Sequence, residues 1–144
     1  TTEIYTLSLH DALPIFLEVT EGLLIDNWQD TVSRMSETVA LGLRFSIDDF
    51  GTGYSSLAYL KKLPLYELKI DRTFVRDTPG DPNDTAIVEA ILSVSQHLGL
   101  RVVAEGVETQ EQAAFLTSHG CQCLQGYLYA RPTPLAGWLD DMLV

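Results

Sequence analysis

Five times along this chain an apolar run of strand length ends in charged or amide side chains and then gives way to turn residues or helical periodicity. The runs are 16–21 (FLEVTE), 44–48 (RFSID), 65–71 (LYELKID), 100–105 (LRVVAE) and 121–129 (CQCLQGYLY). After the first, Val32, Met35, Val39 and Leu43 recur at helical spacing behind a candidate cap at Asp26 or Asn27. After the second, 54–63 reads as a short helix closed by Pro64. A Pro-, Gly- and Asp-rich stretch, 71–84, reads as loop, and Ile87, Ala90, Ile91, Val94 and Leu98 mark the inward face of a helix predicted over 85–98. Thr109 with Gln112 is a capping-box pair opening a helix that Gly120 stops, and 134–143 reads as a last short helix. No Asn-Gly or Asp-Gly turn joins any two runs, so strand–helix–strand units and a parallel sheet are expected in place of hairpins. The crossover rule then puts the C-terminal ends of all five strands on one side.

Two α/β architectures accommodate such a pattern: an independent doubly wound domain, or the larger part of a barrel whose N-terminal strands are missing. The 144 residues are one domain's worth, yet well short of the roughly 250 in a complete eight-stranded barrel. A net charge of −11, with nine Lys and Arg scattered along the chain, argues against DNA, RNA or an anionic membrane as a partner for a basic face. An anionic small substrate stays compatible where divalent cations reverse the local sign. No apolar run approaches the ~20 residues that span a bilayer. Cys121 and Cys123 are the whole thiol inventory, and a Cys-x-Cys pair with no second pair reads as core filling. Without a signal peptide or a disulfide framework a cytoplasmic location is expected, even for a parent tethered to a membrane. Residues 1–15 (TTEIYTLSLHDALPI) show neither periodicity and are cut off by Pro14. They read as a non-native leader, a read-through or fusion scar, so His10-Asp11 is given no role and the domain is taken as 16–144.

The strand ends collect Glu18 and Glu21, Asp48 and Asp49, Lys69 and Asp71, Glu105 and Glu108, and Gln125. Two carboxylates about 4 Å apart repel by about 4 kcal/mol at an effective dielectric near 20. Several in one mouth must therefore take up protons or hold cations. Hard oxygen ligands in this number suit Mg²⁺ or Mn²⁺. A pair of ions roughly 3.5–4 Å apart would activate a water and clamp a phosphodiester for in-line attack. Taken singly, Lys69 is a counter-charge, a water-orienting group or a salt-bridge partner. An enolase-like proton-abstraction site is another barrel chemistry that carboxylates and a lysine permit.

Glu18-Val19-Thr20-Glu21, the stretch from Asp48-Asp49-Phe50-Gly51-Thr52-Gly53 to Leu57, Leu68-Lys69-Ile70-Asp71, Ala104-Glu105-Gly106-Val107-Glu108-Thr109 and Gln125-Gly126-Tyr127 resemble, in order and spacing, the EAL-domain family of cyclic di-GMP phosphodiesterases. The resemblance runs from about Phe16 to the C-terminus. It implies a partial TIM-barrel-like (β/α) fold and the hydrolysis of cyclic di-GMP to linear pGpG at two Mg²⁺ or Mn²⁺ ions. Carried over, Glu18 is a ligand of one ion, Asp48 is shared by both, and Asp49 and Glu105 serve the second. Lys69 and Glu105 are the catalytic residues, beside the attacking water. Glu21 supports, with Asp49, the loop from Phe50 to Ser55, while Glu108 and Gln125 line the site. Taken alone, Glu21 and Glu108 do no more than cap and orient, and Gln125 is a polar group at a strand end.

The departures from the family pattern matter too. Its Glu-Ala-Leu strand motif and a later asparagine ligand are absent, and Glu89-Ala90-Ile91 sits inside a predicted helix. The chain is therefore expected to be a C-terminal portion of an EAL domain, with an open edge at 16–20 and no appreciable turnover by itself. A silent cyclic di-GMP receptor or protein-interaction domain is the alternative reading. A homodimer of the intact domain and upstream sensory or cyclase domains are the partners the resemblance suggests.

Overall fold

The computed structural model describes residues 15–20, 28–53 and 60–134. Five strands, β1 (Phe16–Thr20), β2 (Arg44–Phe50), β3 (Glu67–Ile70), β4 (Arg101–Glu105) and β5 (Cys123–Gln125), form one sheet. Each pairs in parallel with the next. A doubly wound sheet reverses its strand order at a switch point; here the order runs monotonically β1-β2-β3-β4-β5, as in a barrel wall. That decides between the two architectures in favour of the barrel type. The helices are α1 (Trp28–Ala40), α2 (Arg72–Arg76), α3 (Pro82–Leu98) and α4 (Gln110–Ser118). None among the described residues is long and apolar enough to cross a membrane.

Period-2 alternation divides the sheet into an apolar and a polar face. On the apolar face Ile47, Leu68 and Val102 are register neighbours, as are Ile70 and Ala104, all at most 1% exposed. They share a core with Val88, Ile91 and Leu92 of α3 and Leu116 of α4. Burying each large aliphatic side chain there contributes about 1.5–3 kcal/mol, so the helix layer fixes which face remains for chemistry. The helices start where side chains can satisfy their free N–H groups. The Asp81 carboxylate accepts from Asn83 and Asp84 N–H at 2.8 and 3.0 Å, with Pro82 in the first helical position of α3. The predicted capping box is present at α4: Thr109 Oγ1 accepts the Gln112 N–H at 3.2 Å and Gln112 Oε1 accepts the Thr109 N–H at 3.0 Å.

Several boundaries differ from the sequence reading. The stretch 71–84 is not continuous loop: Asp71 caps the five-residue α2, and α3 starts at Pro82. A single helical turn is too short to show periodicity. The buried stripe of α3 is Val88, Ile91, Leu92 and Ser95, while Ile87 is 37% exposed and Ala90 is exposed. A serine closing that stripe disguised it. β2 runs on to Phe50, and β3 shrinks to four residues. The strand predicted over 121–129 covers only Cys123–Gln125. It ends because Gly126 presses against Val107, whose carbonyl oxygen would lie 2.1 Å from any Cβ there, and because the Tyr129 N–H then closes a turn onto the Gly126 carbonyl at 3.1 Å. Cys121 is buried and free, as core filling requires, and burial holds its thiol above the ordinary range. Among the described residues β1 is an edge strand, with Leu17 37% exposed. The caps at Asp26 or Asn27, most of 54–63 and nearly all of 134–143 lie outside the described residues.

Candidate active site

On a regular strand, adjacent residues point to opposite faces, so Asp48 and Asp49 should not meet in one site. The structure evades this with a bulge. The pairing of β2 with β3 slips between Ile47 and Phe50, and Asp49 adopts φ 52, a left-handed conformation that aspartate tolerates better than most residues. Carboxylate oxygens of Asp48, Asp49 and Glu105 consequently lie within 4.8 Å of one another. The chain leaves the bulge through Gly51, at φ 101, where a Cβ would sit 2.9 Å from the Phe74 ring. Both the backbone sign and the close approach of α2 demand glycine there.

Lys69 rises from β3 into this group and is 9% exposed. Its Nζ lies 2.7 Å from Glu105, 3.0 Å from Asp48 and 3.0 Å from Glu18. Burial favours the neutral amine, but hydrogen bonds to Glu105, Glu18 and Asp48 outweigh it and hold the ammonium well above the ordinary lysine range. Asp49 moves upward for a carboxyl, through partial burial and then through the Asp48 charge and a hydrogen bond with Asp71. Asp71 moves downward. Its own burial opposes this, yet bonds from the Thr73 hydroxyl, from the Thr73 N–H at 2.9 Å and from Asp49 prevail. The two neighbouring carboxyls are thus shifted in opposite directions, Asp49 up and Asp71 down. Asp71 was counted among the strand ends but not singled out for the site. The signal for it was the Asp-x-Thr pattern of a helix N-cap immediately after β3.

The remaining predicted residues sit around this cluster. Glu18 is half exposed and reaches it through Lys69. Gln125 ends β5 in register with Glu105, exposed, with its carbonyl accepting the Val107 N–H at 3.0 Å. Glu108 is exposed and lines, with Arg72, Thr73, Arg76 and Gly106, a cleft of about 290 Å³. Glu21 lies outside the described residues.

Oxygens bound to one hard cation at about 2.0–2.6 Å lie no more than about 4 to 5 Å apart. The Asp48, Asp49 and Glu105 oxygens, within 4.8 Å of one another, meet that spacing, and an all-carboxylate donor set is the chemistry that Mg²⁺, Mn²⁺ or Ca²⁺ prefers. The donors therefore fit a divalent cation.

A profile of the EAL domain matches residues 3–132. The cyclic di-GMP phosphodiesterase NbdA of Pseudomonas aeruginosa is 53% identical over 127 residues, which is 88% of this chain and 16% of that protein. The structure of the P. aeruginosa MucR phosphodiesterase in complex with c-di-GMP superposes with a TM-score of 0.80 at 49% identity, covering 85% of this chain and 50% of that one. Klebsiella pneumoniae BlrP1, solved with manganese and cy-diGMP, gives a TM-score of 0.76 at 35% identity over 86% of this chain and 32% of that one. The chain spans half or less of the length of each of these relatives.

Proposed function

The chain belongs to the EAL-domain family, and we propose that it carries part of a two-metal centre that hydrolyses cyclic di-GMP to linear pGpG. The observation that supports this most is the convergence of Asp48, Asp49 and Glu105 within 4.8 Å, beside a single lysine. One ammonium faces more carboxylates than it can neutralise. Mg²⁺ or Mn²⁺ would be held by Glu18 and Asp48 at one position and by Asp48, Asp49 and Glu105 at the other. When bound, such ions acidify a water and offset charge on the phosphate oxygens.

The protein's own groups account for the rest. Lys69 redirects an N–H from its carboxylate partners to the attacking water or to a phosphate oxygen. Glu105, 2.7 Å from the Lys69 ammonium, accepts the proton that the water loses. The new P–O bond forms as the bond to the 3′-oxygen breaks, and that oxygen takes up a proton from Glu105 or from solvent to leave as a 3′-hydroxyl. Glu108 and Gln125 would line the site, and Glu21 would support, together with Asp49, the loop from Phe50 to Ser55.

The test is turnover of cyclic di-GMP by the whole EAL domain with Mn²⁺, comparing Glu105→Gln and Lys69→Met with the parent. General acid–base groups contribute about 10²- to 10⁴-fold, so each variant should lose at least about a hundredfold. Turnover within a few-fold of the parent in either variant contradicts the assignment. Binding of cyclic di-GMP by the parent with no linear product makes the domain a receptor instead.

A further inference from the structure

We infer that Gln112 is a positioning residue for the Glu105 side of the carboxylate cluster, acting through the backbone of residues 106–109. Gln112 is 5% exposed in the first turn of α4, and its carboxamide makes three hydrogen bonds. Oε1 accepts the N–H of Glu108 at 2.8 Å and of Thr109 at 3.0 Å, and Nε2 donates to the Arg76 carbonyl at 2.9 Å. A capping box accounts for the Thr109 bond alone. The second bond holds Glu108, three residues beyond Glu105. The third crosses 36 residues of sequence to the end of α2, the helix that begins directly after Lys69, Ile70 and Asp71. One side chain thus ties the segment leaving β4 to the helix leaving β3.

The opposite side of that segment is pinned differently. Val107 is fully buried, its N–H donates to the Gln125 carbonyl at 3.0 Å, and its carbonyl accepts the Leu128 N–H at 3.0 Å. Gly106, at φ 71, lies so close to Arg72 that a Cβ there would be 2.6 Å from the Arg72 Cβ. Anchorage toward β5 is backbone pairing, which survives any side-chain change. Hydrogen-bonded anchorage toward α2 is supplied by Gln112. Losing it should let the segment swing about Val107 and loosen the approach of Glu105 to Asp48 and Asp49. Groups that orient metal ligands through hydrogen bonds typically cost about 10- to 100-fold in metal affinity when removed.

The affinity readout rests on the metal assignment above, so a second readout independent of metal accompanies it. Mn²⁺ is titrated by electron paramagnetic resonance into the full 144-residue chain as parent, Gln112→Glu and Thr109→Ala, and amide exchange at 106–109 and thermal melting are followed on the same samples. Gln112→Glu keeps a capping-box acceptor but turns a carboxylate without an N–H toward the Arg76 carbonyl. Thr109→Ala removes the cap oxygen and keeps the tie to α2. The expected result is at least a tenfold loss of Mn²⁺ affinity and faster exchange at 106–109 in Gln112→Glu, with affinity within twofold of the parent in Thr109→Ala. Unchanged affinity in Gln112→Glu, or an equal loss in Thr109→Ala, overturns the inference. Should the parent take up no Mn²⁺, the metal assignment alone fails, and unchanged exchange at 106–109 in Gln112→Glu then overturns the positioning role.

Discussion

Two polar layers lie on the same face of the sheet, two residues apart on β2 and β3. In the lower one Glu67, 9% exposed, accepts a hydrogen bond from Ser46 Oγ at 3.1 Å and faces the Arg101 guanidinium at 3.6 Å. Ser46, Glu67 and Arg101 are register neighbours on β2, β3 and β4, and Glu18 on β1, next in that register, turns its charge to Lys69 of the upper layer. In the upper layer Lys69 alone meets Glu18, Asp48 and Glu105, with Asp49 close by and Asp71 bonded to it. The lower row has every charge answered and stabilises the barrel wall. The upper row has a surplus of negative charge, and neighbouring carboxylates about 4 Å apart repel by about 4 kcal/mol at an effective dielectric near 20. A fold tolerates such a surplus where a cation relieves it, which is why the upper layer is read as the site and the lower one as its floor.

The contrast can be broken most severely at Lys69. Lys69→Met removes the only cation that the upper layer holds among the described residues and leaves its carboxylates facing one another, so the chain should lose about 3 kcal/mol of unfolding free energy in urea. Saturating Mn²⁺ should restore much of that loss, because it returns positive charge to the same oxygens. A loss under about 1 kcal/mol would mean that solvent already screens the cluster.

A smaller effect comes from pH. Lys69 has its folded-state value raised above the ordinary 10.5, so its contribution is fully present below that pH and is lost as pH rises through the folded-state value. The stability gap between the parent and Lys69→Met should hold steady up to about pH 10 and narrow beyond it. Asp71 is lowered from 3.8 and acts in the other direction. Its contribution is present above that pH and fades as pH falls further, so Asp71→Asn should differ least from the parent in strong acid. A gap independent of pH in both ranges would show that neither titration is linked to folding.

The smallest change belongs to the lower layer. Glu67→Gln keeps an acceptor for Ser46 and loses the charge facing a half-exposed Arg101, at a cost of about 1 kcal/mol. It should leave Mn²⁺ affinity within twofold of the parent. A tenfold fall would show that the two layers are one electrostatic unit.

Much of this was legible in the sequence because it depends on local chemistry. Strand–helix alternation indicated the parallel sheet, Thr109 and Gln112 the capping box, and the acids at the strand ends the cluster. The choice of barrel over doubly wound sheet came from the motif resemblance and not from the βα pattern, since strand order depends on which way each crossover turns, and nothing in a βα repeat encodes that. The convergence of Asp48 with Asp49 was proposed from the motif, but strand geometry by itself forbids it. The bulge with Asp49 at φ 52 is a tertiary solution that alternation patterns do not display. The partnership of Asp49 with Asp71 stayed hidden because it joins two strand ends, and α2 because five residues make barely more than one turn. The buried Gln112 was legible as a cap, whereas its reach to Arg76 was not, because that contact spans 36 residues.

The most direct test of the central claim is Mn²⁺ binding by electron paramagnetic resonance at neutral pH, comparing the parent chain with Glu67→Gln and with Asp48→Asn plus Glu105→Gln together. Uptake by the parent and by Glu67→Gln with the same affinity is expected, with a loss of about a hundredfold or more in the upper-layer variant. No uptake by the parent, or equal uptake by all three, would contradict it.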